Sequence, residues 1–72
     1  MARYKTNDPN GTPMYPNRNC DFPFKHLKIG TEVFSTNAPV PGPHGLDTIL
    51  EVTEVHNNTS KGWVHMSQLS IP

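Results

Sequence analysis

Strong apolar residues enter this chain late. None of its Leu, Ile, Val or Phe residues precedes Phe22, and all fifteen fall between Phe22 and Ile71. From Phe24 onward they come in short alternating runs. Leu27 and Ile29 alternate with lysines, Gly30-Thr31 turns the chain, and Glu32-Val33-Phe34 restarts a β-rich run, predicting two short strands or one bent strand over 24–36. The strongest strand signal is Thr48 to His56, where Leu50, Glu51, Val52 and Thr53 alternate. That alternation slips at Glu54-Val55, which predicts a bulge or a strand end. Asn57 to Gly62 then reads as a polar hairpin loop, with Trp63 to Met66 as the returning strand. Leu69 and Ile71 predict a short final strand, or a helical turn followed by a strand. Residues 37–46 carry Pro39, Pro41, Gly42, Pro43 and Gly45 and read as a stiff loop.

The first 23 residues look different. Asn10-Gly11 is a strong tight-turn signal lying between Tyr4 and Met14-Tyr15, and it predicts a short hairpin there. Pro9, Pro13 and Pro16 each lack a backbone donor, which confines their segments to sheet edges or extended loop. The expected fold is mostly β: one domain over 1–72, with a Pro/Asn-rich arm over 1–23 and a small antiparallel barrel of about five short strands over 24–72. Barrel closure suits so short a chain, because it hides strand edges.

Composition narrows the function. A 72-residue chain buries only about 60% of its unfolded surface, so its core is thin. Six basic and six acidic residues give zero net charge, and the bases are scattered, which argues against nucleic acid as a partner. No apolar run approaches a membrane span, and the start of the chain lacks a signal-peptide pattern, so the expectation is a cytoplasmic protein. Cys20 is the single cysteine and cannot form an internal disulfide. A homodimer or higher oligomer is one way to compensate for the thin core.

Two segments resemble the bacterial-type SH3 domain. They are Leu27-Lys28-Ile29-Gly30-Thr31-Glu32-Val33, with the Gly-Thr-x-Val pattern of that family, and Lys61-Gly62-Trp63-Val64-His65-Met66-Ser67-Gln68-Leu69, with its Gly-Trp-Val strand opening. In these motifs glycine supplies a turn and tryptophan a large core contact. The family's mid-domain Gly-Trp is replaced here by the Gly45-Leu46 neighbourhood. The resemblance implies an SH3-like barrel; bacterial SH3 domains commonly bind cell-wall peptides.

Four histidines, His26, His44, His56 and His65, together with Cys20, invite a metal reading. Zinc sites usually show a close ligand pair, and none is present, so no metal and no cofactor are expected. There is no nucleophile elbow, phosphate loop or paired-acid motif, which argues against an enzyme. Trp63 is either a core residue or part of a groove with Tyr15, Tyr4 or His65, since Trp and Tyr give large contact area at low entropic cost. SH3-like grooves of that kind take extended or Pro-rich peptides. The expected function is a non-catalytic SH3-like protein that binds a protein partner stoichiometrically, as an inhibitor or adaptor of the kind phages encode. The expected binding residues are Tyr4, Tyr15, Arg18, Trp63 and His65. Two alternatives stand beside it: a cell-wall (peptidoglycan) peptide targeting module, and an oligomer that sequesters a nucleotide or other small anion through Arg18, Trp63 and His65.

Overall fold

The computed structural model describes residues 2–43 and 47–72. Among these residues seven strands follow one another: β1 (Ala2–Thr6), β2 (Thr12–Met14), β3 (Lys25–Leu27), β4 (Glu32–Ser35), β5 (Ile49–Glu54), β6 (Asn57–His65) and β7 (Leu69–Ser70). A 3-10 turn, Met66–Gln68, joins β6 to β7. Among the described residues there is no α-helix. The protein is mostly β, built on a small antiparallel sheet ordered β6-β5-β4-β1-β7, beside a separate β2-β3 ribbon.

Alternation decides which side chains meet. Register pairs Tyr4 with Val33, Val33 with Glu54, and Leu50 with Val64, so these residues share one face. Met14 and Leu27 of the ribbon close over that face. Met14, Leu27, Val33, Leu50, Val52 and Val64 form the buried core, with Tyr4, Met66 and Leu69 packed against it. Ile49 is also fully buried, but it lies outside this cluster. Val40 and Ile49 exchange both backbone hydrogen bonds at 2.9 Å, so part of the Pro-rich loop lies along β5.

Several expectations change. The Asn10-Gly11 turn forms, with the Gly11 N–H donating to the Asp8 carbonyl at 3.0 Å and Gly11 at φ +99°, but it closes no hairpin. β1 pairs with β4 and β7, while β2 pairs with β3. The N-terminal segment is therefore not set apart as an arm. β1 runs inside the sheet, and Met14 and Thr12 have no exposed surface at all. Methionine and threonine do the burying there, which a scan for Leu, Ile, Val and Phe misses.

The polar stretch 57–62 is strand, and the hairpin turns at Val55-His56 instead. The register shift lies between Thr53 and Glu54, and Ser60, on the same face of β6 as Gly62 and Val64, is buried beside it. Gly62 is no turn glycine either. A Cβ at Gly62 would lie 2.6 Å from Met14 Cγ and 2.8 Å from both Phe24 Cε1 and the Tyr15 carbonyl oxygen, so the ribbon reaches β6 only because that position is bare.

The ribbon is anchored in two further ways. Tyr15 and Trp63 exchange backbone hydrogen bonds at 2.9 and 2.8 Å, which joins β2 to β6. Lys25 Nζ donates to Glu54 Oε2 and, at 3.2 Å, to Ser60 Oγ. Pro13 is tolerated in β2 because backbone groups alternate in direction along a strand. Met14 faces β3, where its carbonyl accepts from Phe24, and Tyr15 faces β6, so Pro13 points away from β3 and interrupts no bond to it.

Candidate functional site

Trp63 and His65 stand two residues apart on β6 and share the face opposite Gly62 and Val64. Because Tyr15 pairs directly with Trp63, its side chain joins that same outer face. The Tyr15 ring meets His65 edge-on, with centroids 5.9 Å apart and planes at 87°. All three rings are half-buried.

Arg18 arrives from the loop between β2 and β3. Its guanidinium carbon lies 5.8 Å from the centre of the Trp63 ring, within cation–π range. The loop turns sharply here: the Asn19 N–H donates to Asn17 Oδ1 at 3.0 Å, and Cys20 takes a left-handed φ of 55°. Four of the five expected binding residues, Tyr15, Arg18, Trp63 and His65, are thus brought together. Tyr4 is placed elsewhere, on β1 and against the core, with β4 and β5 between it and β6.

Two carboxylates, Glu51 and Asp47, border the aromatic row. Glu51 is the cross-strand partner of Trp63; it accepts from Asn37 Nδ2 at 3.0 Å and has Lys61 Nζ at 3.7 Å. Asp47 Oδ2 lies 3.8 Å from His65 Nδ1, a buried nitrogen with no hydrogen-bond partner, and accepts from the Ser67 N–H at 3.1 Å. Hydrogen bonds from the Ser67 side chain and N–H hold the Asp47 carboxyl below its ordinary value, outweighing partial burial, with the Thr48 N–H and His65 adding to the effect. Period-two alternation from Trp63 to His65 was the available signal; which residues on β5 face them depends on register.

Elsewhere, burial and the neighbouring Asp21 push the Cys20 thiol up, which lowers its thiolate fraction at neutral pH. Among the described residues no three His, Cys, Asp or Glu side chains gather as a metal site; His44 lies outside those residues. No helix among them is long and apolar enough to cross a membrane. An open hollow of about 340 Å³ is lined by Pro9, Gly11, His26 and Ile29 among others, and contains none of the expected binding residues. Comparison of the chain with protein families, with curated proteins and with solved structures finds no match.

Proposed function

We propose that this is a non-catalytic binding protein whose contact surface is the Tyr15, Arg18, Trp63 and His65 face, and whose partner is an extended segment of another protein. The observation that carries the reading is the convergence of three half-buried rings and a guanidinium from β6, from the bridge residue that follows β2, and from the loop beyond it. Such rings offer large, stiff contact area with little rotamer entropy to lose, and Trp and Tyr are among the residues that carry most binding energy at protein interfaces. Stoichiometric inhibition or an adaptor role follows from binding without chemistry.

An SH3-like barrel closure belongs to the same proposal. What supports it is the return of the chain after β3 to β1. The Gly30 N–H donates to the Thr6 carbonyl at 2.8 Å, the Thr6 N–H donates to Thr31 at 3.0 Å, and the Thr6 hydroxyl donates to the Lys28 carbonyl at 2.8 Å. With the Tyr15 to Trp63 link, the ribbon is tied to both β6 and β1, so the strands curl toward a closed wall.

The test is affinity capture from a cell lysate with the native chain, Tyr15→Ala and Trp63→Ala, each checked for folding by circular dichroism. A protein held by the native chain and lost from both folded variants is the expected result. Absence of any specific partner, or a partner held equally by all three, refutes the reading.

A further inference from the structure

We infer that Arg18 occupies, within the molecule, the place of a partner's cationic side chain on Trp63, so that this face selects an extended segment bearing arginine or lysine. The inference rests on the reading of the face as a protein-binding surface and adds to it the chemistry of what is bound.

Charge around the ring gives the direction. Asp47 and Glu51 border the Tyr15, Trp63 and His65 row, and Lys61, two residues from Trp63 on the same face, stands 3.7 Å from Glu51. Among the carboxylates and side-chain cations other than His65, those two acids and one base leave one negative charge in excess, and Arg18 balances it. Once Arg18 swings away, the vacated ring is an electron-rich surface edged by carboxylates. A guanidinium or ammonium group fits it, and a carboxylate or phosphate meets like charge.

Displacement is easy for two reasons. Arg18 is exposed and touches Trp63 from a loop, at a distance typical of weak, solvent-screened cation–π pairs. Its loop carries only one short internal turn, while Tyr15 and Trp63 are fixed by paired backbone hydrogen bonds. The platform is rigid and its occupant is not, so a binding partner competes with Arg18 alone.

The test uses Trp63 fluorescence, since Trp63 is the only tryptophan in the chain. The probes are a blocked Ala-Pro-Arg-Pro-Ala peptide and its counterparts with citrulline or glutamate in place of arginine. Arg18→Ala is expected to tighten the arginine peptide about two- to fivefold, the size of an exposed cation–π contact. Arg18→Lys, which retains a cation, gives a smaller gain than Arg18→Ala, Glu51→Gln weakens binding, and the citrulline peptide shows no gain on removal of Arg18. Weaker or unchanged binding by Arg18→Ala, or preference for the glutamate peptide, overturns the proposal while leaving a protein-binding face intact. If no peptide of any charge perturbs Trp63 in folded native or Arg18→Ala protein, both this inference and the protein-segment reading fail.

Discussion

The β5-β6 hairpin and the β2-β3 ribbon are both antiparallel pairs, yet they hold together by different means. The hairpin turns in two residues and contributes Leu50, Val52 and Val64 to the core from its own sequence. The ribbon spans a long loop, pairs over only three residues on each side, and gives the core just Met14 and Leu27 as large apolar side chains. Its attachment depends on what β6 and β5 present to it: the bare Gly62, the Trp63 backbone, and the Glu54 and Ser60 side chains at the bulge. A two-stranded element this short is not stable in isolation. The hairpin is specified locally and the ribbon by its neighbours, and the candidate binding face lies on the seam between them.

The largest expected effect tests whether the ribbon belongs to the core. Met14→Ala should cost about 2–5 kcal/mol, comparable with Leu50→Ala in the hairpin, and Met14→Leu less than about 1.5 kcal/mol. Urea melts of the three variants check this, and a Met14→Ala loss well under that of Leu50→Ala would make the ribbon peripheral. Gly62→Ala comes next, at about 1–3 kcal/mol from overpacking against Met14, Phe24 and the Tyr15 carbonyl. Hydrogen exchange should then show the Tyr15 and Phe24 amides losing protection first, with the amides of Ile49–Glu54 still protected. Equal loss across both regions would remove the distinction between them.

A smaller effect concerns the Lys25 to Glu54 pair. Burial pushes the Glu54 carboxyl up, but hydrogen bonds from Lys25 and Ser60, with the Lys25 charge, bring it below its ordinary value. A lowered folded value means that the contribution is fully present above the unfolded carboxyl value and is lost as pH falls through the folded one. Melting temperature should therefore drop with acid more steeply in the native chain than in Glu54→Gln. The variant itself should cost on the order of 1 kcal/mol at neutral pH, discounted because Lys25 is one-third exposed. An identical acid slope in both proteins would remove Glu54 as the group responsible. Smallest is Arg18→Ala, expected to change stability by less than about 1 kcal/mol while altering Trp63 emission.

Legibility in the sequence follows the same division. The β5 alternation and its slip near Glu54, the turn at Gly30, and a short last strand at Leu69 all come from local pattern, and each is present. β1 was hidden because Ala-Arg-Tyr-Lys-Thr has no aliphatic stripe; it gains burial from β4, β7 and the core beneath Tyr4. Residues 57–60 read as loop because their composition is polar, yet the bulge and the two-residue turn recruit them to β6. In the site, Trp63 and His65 were legible as a pair at strand spacing, and Tyr15 and Arg18 as candidates without a known position. Asp47 and Glu51 were not, because cross-strand partners depend on a register that no local pattern gives.

The sequence by itself determined a small, mostly β chain of zero net charge with one tryptophan, and placed its best hairpin in the second half. Those properties are sums over residues or periods of two, and they need no knowledge of distant neighbours. Only the tertiary structure decided that the N-terminal segment is part of the fold, that Gly62 is a contact point rather than a turn, and that Tyr15 and Arg18 meet Trp63. Each of these depends on long-range pairing, where one missing Cβ permits two strands to touch and the register of their backbone hydrogen bonds fixes which side chains share a face.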